Sequence, residues 1–351
     1  MSDVSEQLQQ QVHAAYDNAT PLCIQGGNSK AFYGRACTAE TLSVREHSGI
    51  VNYAPTELVI TARSGTRLSD IETALAEQNQ MLAFEPPHYG EHASIGGTVA
   101  CNFSGPRRAY AGAARDFVLG CKIINGKGEL LAFGGEVMKN VAGYDVSRLM
   151  AGAMGTLGVI TEVSLKVLPK PESEITLALE SNASQALQYM HQWSRTPMPV
   201  SATCFDGDRL FVRLGSSEDG VHAAHARIGG EIIAEQVGFW KKLREQKHAF
   251  FISTKSLWRL SVESNAEPLK LDARCLYEWG GALRWYLTDA ATSNVRALAA
   301  STGGHATLFR GTGDDRFHPL DAGVIRMHQK LKAAFDPKGI LNPGRMYAEV
   351  N

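Results

Sequence analysis

Gly26-Gly27-Asn28-Ser29, Ser94-Ile95-Gly96-Gly97-Thr98-Val99 and Gly155-Thr156-Leu157-Gly158-Val159-Ile160 are three glycine turns set along the first half of the chain. The first follows the apolar run Leu22-Cys23-Ile24, and the third continues into the β-branched stretch Val159-Ile160-Thr161-Glu162-Val163. Glycine after a strand lets bare backbone approach an anion, because no Cβ shields the N–H groups. The common nucleotide motifs do not account for these turns. Gly26-Gly27 is not followed by the spacing of a dinucleotide fingerprint, and Gly152-x-x-Gly155-x-x-Gly158 misses it as well. Gly120 to Gly126-Lys127 has one spacer too many for a P-loop, and Gly128 stands where Ser or Thr would hold magnesium. A Rossmann enzyme and a P-loop ATPase are both disfavoured.

Outward from these turns, Val4, Leu8, Val12, Ala15 and Tyr16 recur at helical spacing, with Asp3 and Glu6 placed to cap the helix. Segments 42–44, 50–53, 58–62 and 81–84 read as strands, and 69–79 as a helix opened by a Ser69/Glu72 capping box. Residues 117–133 alternate and turn at Asn125-Gly126, a hairpin signal. Pro169-Lys170-Pro171-Glu172 marks a boundary. Beyond it, strand 175–180, helix 184–194, strands 200–206 and 209–214 and helix 218–228 begin a β-α-β-β-α-β plan with helices on one face. A basic helix at 239–248, strands near 257–263 and 276–287, and helices near 289–301 and 321–335 complete it, with no convincing internal repeat. The division expected is 1–170, 171–335 and a C-terminal segment 336–351.

The 351 residues carry 35 Lys plus Arg against 36 Asp plus Glu, a net charge of −1. That balance disfavours a nucleic-acid binder and gives no support to attachment on an anionic membrane. Six cysteines, at 23, 37, 101, 121, 204 and 275, form no Cys-x-x-Cys pair for zinc or an iron–sulfur cluster, so they read as reduced thiols of a cytosolic chain. Met1-Ser2-Asp3-Val4-Ser5-Glu6 lacks the basic start of a secretory signal, and no apolar run is long enough to cross a bilayer. His222 and His225 stand three apart without a third ligand, so no metal site is expected.

In this order and with these neighbours, the three turns resemble the FAD-binding domain of the vanillyl-alcohol oxidase, or PCMH, type. Four further stretches are similar to the FAD-binding E subunits of bacterial glycolate oxidases. They are Glu85-Pro86-Pro87-His88-Tyr89-Gly90, Gly105-Pro106-Arg107-Arg108, the run from Gly134-Gly135-Glu136 to Gly143-Tyr144-Asp145, and Asn342-Pro343-Gly344-Arg345-Met346-Tyr347-Ala348-Glu349. The resemblance implies an α+β fold: a two-subdomain PCMH-type FAD-binding domain, then a smaller ferredoxin-like α+β cap. It implies pyrophosphate contacts from Gly26, Gly27, Asn28, Ser29, Ser94, Ile95, Gly96 and Gly97, with Gly158 and Ile160 beside the flavin or adenine. Asn342 is implied as a polar contact near the isoalloxazine. Members of the wider family with covalent flavin often carry His where this chain has Asn28. An amide cannot form that bond, so non-covalent FAD is expected.

By resemblance the chain belongs to a complex with a second FAD-binding catalytic subunit and an iron–sulfur subunit, acting on small 2-hydroxy acids, glycolate and also D-lactate. It implies a cytoplasmic location, with peripheral attachment at the inner membrane through the complex left open. Oxidation needs a cation for the carboxylate and a base for the hydroxyl proton. Related D-2-hydroxyacid dehydrogenases carry a metal-binding motif of histidines and an acid. Here Gly303-Gly304-His305-Ala306-Thr307 keeps one histidine and lacks the rest. His305 could act as the base, with Arg284 and Arg310 gripping a carboxylate. Two readings stand: an electron-transfer and assembly subunit, or a flavin dehydrogenase in its own right. Arg107 and Arg108 either neutralise the FAD phosphates or line the surface.

Overall fold

The computed structural model describes residues 2–135 and 145–350, so most of the 134–145 motif lies outside the described residues. The chain forms two compact units. One comprises Met1–Ser104, Ala113–Pro169 and Pro319–Asn351; the other comprises Gly105–Gly112 and Lys170–His318. The C-terminal return thus begins at Pro319 rather than 336, because the last long helix packs with the first unit. Conversely, the short Gly105–Gly112 segment groups with the second.

In chain order the first part holds α1 (Ser5–Asn18), β1 (Leu22–Gln25), β2 (Glu40–Ser43), β3 (Ile50–Ala54), β4 (Val59–Arg63), α2 (Leu68–Glu77), β5 (Gln80–Met81) and α3 (Ile95–Cys101). After α4 (Arg108–Ala111), which sits in the second unit, come α5 (Ala114–Phe117), β6 (Val118–Ile124), β7 (Leu130–Gly134), α6 (Val146–Met150), β8 (Val159–Lys166) and β9 (Leu168–Pro169). Strands β1 and β2 pair in parallel, and Leu22 bridges to Leu341, so the chain's end returns beside its first strand. The apolar stripe of α1, Leu8, Val12 and Ala15, packs here with Leu22, Leu42, Ile340 and Leu341. An antiparallel sheet of order β3-β4-β8-β6-β7 forms the other subdomain. Two expected caps differ. Helix α2 starts at Leu68, one residue before the Ser69 of the proposed capping box, and in α1 Val4 holds the N-cap position while Asp3, one residue earlier, accepts from the amide and hydroxyl of Ser5, the first helical residue.

The second unit holds β10 (Ser173–Glu180), α7 (Ala183–Ser194), β11 (Val200–Phe205), β12 (Arg209–Ser216), α8 (Glu218–Ile228), β13 (Glu231–Ile232), α9 (Gln236–Arg244), β14 (Leu257–Ser261), β15 (Arg274–Glu278), β16 (Leu283–Leu287), α10 (Thr292–Ala300) and β17 (His305–Arg310). The chain ends with α11 (Ala322–Phe335), which belongs to the first unit. The eight strands follow the order β13-β10-β12-β11-β15-β16-β14-β17. The first four follow the ferredoxin-like order, and the last four repeat it in mirror sequence, joined where β11 pairs with β15. A repeat thus exists in topology. It escaped the sequence reading because the second copy has an irregular connection, 262–273, in place of its first helix. Helices α7, α8 and α10 bury Leu187, Met190, Val221, Ala224 and Val295 against one sheet face. Helix α9 lies against the opposite side, where the Trp240 indole donates to Thr176 Oγ1 at 2.8 Å.

Candidate functional site

A cavity in the first unit gathers segments that lie far apart in sequence. Ile24 to Ala31, Ser64, Ser94, Gly96, Gly97, Ala100, Cys101, Met154, Gly155, Gly158, Ile160, Asn342 and Arg345 line it, with Val44. Ten of the eleven cofactor candidates are therefore brought together. The exception is Ile95, whose side chain is fully buried in the core and whose amide donates to Thr66 O at 2.9 Å.

Local packing explains the glycines. A Cβ on Gly26 would stand 2.6 Å from Ser94 Oγ, and one on Gly27 would overlap the His92 carbonyl. A Cβ on Gly96 would come within 2.5 Å of Ser64 Cβ. Gly27 and Gly96 let the first turn and the start of α3 approach the backbone of His92 and Ser64, while Gly26 makes room for the Ser94 hydroxyl. Gly97 differs, since its Cβ would find only Ser94 Oγ, at 3.4 Å.

The amides divide sharply. Those of Gly26, Gly27, Asn28 and Ser29 donate to no protein acceptor among the described residues. Asn28 adopts φ 57°, which an asparagine tolerates. At α3, by contrast, the Gly96 amide donates to Ser64 O at 2.9 Å and the Gly97 amide to Ser94 Oγ at 3.4 Å. Both turns line the cavity, but the amides without a protein acceptor lie in the first, while those of Gly96 and Gly97 are engaged within the fold.

Lys30, buried, donates to His88 O at 3.2 Å and Ser29 Oγ at 3.3 Å, so it brings a positive charge beside those amides. The Glu85-Pro86-Pro87-His88-Tyr89-Gly90 stretch thereby serves as its anchor. Ser64 Oγ is buried on the cavity wall without a hydrogen-bond partner among the described residues. A buried hydroxyl costs free energy unless something satisfies it, and this one is available to whatever occupies the cavity. Burial pushes the Cys101 thiol up to about 11, leaving a neutral wall. Ser64 and Lys30 escaped the choice of site residues; the sequence signal was their place, directly after β4 and directly after the first turn.

Asn342 lines the cavity, but its amide is engaged. Its Oδ1 accepts from Ile24 N at 2.7 Å and its Nδ2 donates to Met154 O at 2.7 Å. It ties β1 to the Gly155 turn as a brace, and one N–H and one lone pair of its amide are left beyond these two bonds.

The three candidates for substrate chemistry lie in the second unit and are not brought together. Arg284 is fully buried and gives its donors to carbonyls: Nε to Gly281 at 3.0 Å, Nη1 to Glu267 at 2.7 Å, and Nη2 to Ala266. No carboxylate can reach it, so the expected grip is corrected. Arg310 donates to Phe251 O at 3.0 Å. It stands at the far end of β17 from His305, five residues or roughly 16 Å along the strand. The His305 ring is partly desolvated, which holds its pKa below the usual value, and the charges of Arg259 and His318 act in the same direction. Arg107 ion-pairs with Glu174 at 2.5 Å, and Arg108 stacks over Trp279 at 4.3 Å. Both are spent within the second unit rather than on phosphates. Among the described residues no group of three or more His, Cys, Asp and Glu is placed to hold a metal ion.

A backbone cradle with a buried ammonium and an orphaned hydroxyl fits an anionic dinucleotide, and the matches to known families give the class: the FAD-linked oxidases. Residues 3–134 match the FAD binding domain family and residues 319–346 the C-terminal domain of FAD linked oxidases. The chain is 52% identical over 348 residues to glycolate oxidase subunit GlcE of Escherichia coli (strain K12), covering 99% of each. It is 25% identical over 402 residues to glycolate oxidase subunit GlcD of Bacillus subtilis (strain 168), covering 95% of this chain and 85% of that one. The solved structure of alkyldihydroxyacetonephosphate synthase shares the fold at TM-score 0.69 and 16% identity, over 96% of this chain and 75% of that one. The chain belongs to the glycolate oxidase subunit GlcE family, and FAD is its cofactor.

Proposed function

We propose that this chain is the FAD-bearing subunit of a multi-subunit glycolate oxidase that converts glycolate, and D-lactate, to the 2-oxo acid. Within it the chain acts in electron transfer and assembly, while a second FAD-binding subunit performs the chemistry and an iron–sulfur subunit takes the electrons onward. The single observation that carries the relay reading is the contrast between the two sets of residues. The cofactor set converges on one cavity, whereas His305, Arg284 and Arg310 are separated or spent.

Bound FAD supplies a two-electron acceptor. The chain's own residues bind and orient it. The amides of Gly26 to Ser29 and the Lys30 ammonium would hold the pyrophosphate, and Ser64 Oγ would find its partner on the ligand. Met154, Gly155, Gly158 and Ile160 wall off water. Attachment is non-covalent, since Asn28 stands after the glycine pair. Among the described residues no helix is long and apolar enough to cross a membrane, so we assign any membrane attachment to the complex.

Anaerobic addition of glycolate to the isolated chain tests the relay reading. Its flavin should stay oxidised alone and bleach once the partner subunits are added. Bleaching of the isolated chain would select the alternative, a dehydrogenase using His305.

A further inference from the structure

Lys332 is the buried residue of α11, 1% exposed on a helix that otherwise keeps partial solvent contact. A lysine in the place where a leucine would usually anchor a helix calls for an explanation. Its ammonium has three protons, and each finds an acceptor: Asp336 Oδ2 at 2.7 Å, Leu341 O at 2.7 Å and Thr156 O at 3.0 Å. The Asp336 carboxylate is likewise filled. Oδ2 also accepts from Leu341 N at 2.7 Å, and Oδ1 from Ile340 N at 3.1 Å.

The acceptors are the informative part. Thr156 belongs to the Gly155 to Gly158 turn on the cavity wall, and Leu341 immediately precedes Asn342. Asn342 in turn holds Ile24, at the entrance to the first glycine turn, and Met154. One ammonium therefore connects α11, the Gly155 turn and the C-terminal return, and through Asn342 it reaches β1. Each link is a hydrogen bond of 3.0 Å or less. An apolar side chain could fill the same volume, but replacing the lysine alone would leave the buried Asp336 carboxylate without its cation and lower stability. It could not satisfy the Thr156 and Leu341 carbonyls.

We propose that Lys332 is a positioning residue of the FAD cavity. It holds the Gly155–Thr156 turn and the Leu341–Asn342 brace in register so that the cavity is formed before the cofactor arrives. Preorganisation of this kind appears as affinity, because the cofactor then orders less protein on binding. This rests on the placement of FAD in the cavity, which Gly97→Leu tests separately by filling it.

The test is Lys332→Met in the full chain, stripped of flavin and retitrated with FAD well below its melting temperature. Flavin fluorescence reports affinity, and visible circular dichroism reports how the ring is held. Affinity should fall at least about tenfold with a changed dichroic band shape, while far-ultraviolet dichroism stays native. Affinity within about twofold of the parent with an unchanged band would overturn the proposal and leave the lysine a stability element only. Should the variant not fold, hydrogen exchange on the parent chain decides. FAD should slow the amides of 154–158 and 340–342 together, and protection confined to the first segment would refute the linkage. Retention of FAD by Gly97→Leu would instead displace the cofactor from this cavity altogether.

Discussion

Gly27 lies so close to His92 that a Cβ at position 27 would overlap the His92 carbonyl oxygen, whereas a Cβ on Gly97 would meet only Ser94 Oγ, at 3.4 Å. The two glycines line one cavity for opposite reasons. Gly27→Ala should force the 92–97 segment off the first turn and lower stability by roughly 1–3 kcal/mol, with loss of flavin. Gly97→Leu should fold normally, because the position is helical and leucine is a better helix former, yet weaken FAD at least about tenfold. Thermal unfolding and flavin titration of the pair separate packing from occupancy. Equal FAD affinity in Gly97→Leu and the parent would contradict the assignment.

Asn28 bears on how the flavin is attached. The purified chain should be yellow, and acid precipitation should leave all the flavin in the supernatant. Colour retained in the washed pellet would mean a covalent bond from some other side chain.

Arg284 illustrates a residue whose type suggested chemistry and whose surroundings assign it to the fold. Arg284→Met should strip hydrogen bonds from the carbonyls of Ala266, Glu267 and Gly281 and cost about 3 kcal/mol or more. Flavin bound per folded chain should be unchanged. His305→Ala should likewise leave the activity of the assembled complex nearly intact. A complex that assembles normally but loses turnover in either variant would restore the catalytic reading.

His47 makes a prediction about acid. Burial holds its pKa below the ordinary 6.5, outweighing the nearby Asp3 charge, and its Nδ1 accepts the Val4 amide at 3.2 Å. The folded chain therefore binds fewer protons than the unfolded chain between the lowered value and 6.5. Stability should fall as pH drops through that window, with a slope from this residue of at most about 1.4 kcal/mol per unit. His47→Gln keeps an acceptor and cannot titrate, so it should flatten the melting curve against pH. An unchanged slope in that variant would assign the acid sensitivity to the other histidines.

The glycine turns were legible because a backbone that must touch other backbone leaves a mark in residue type, as glycine does at 27 and 96. The β-α-β-β-α-β plan was legible through strand and helix periodicity, and Asn28 through its place after a glycine pair. The direction of the amides was not. That Gly96 donates to Ser64 O while the first turn keeps its donors for a ligand depends on contacts between segments about 30 residues or more apart in sequence. Ser64, an ordinary serine after a strand, became a site residue only when the fold buried its hydroxyl without a partner. Arg284 and Asn342 went the other way, since folding supplied acceptors that no local pattern reveals.

By itself, then, the sequence determined the class of protein and its flavin cofactor and marked the glycine turns, because those follow from local backbone requirements and short-range spacing. Only the tertiary structure decided which amides are left without a protein acceptor among the described residues, which arginines are consumed, and that Lys332 on α11 reaches the Thr156 carbonyl, 176 residues away, at 3.0 Å. Hydrogen-bond capacity is finite, and what a polar group is left to do depends on every neighbour the fold brings to it.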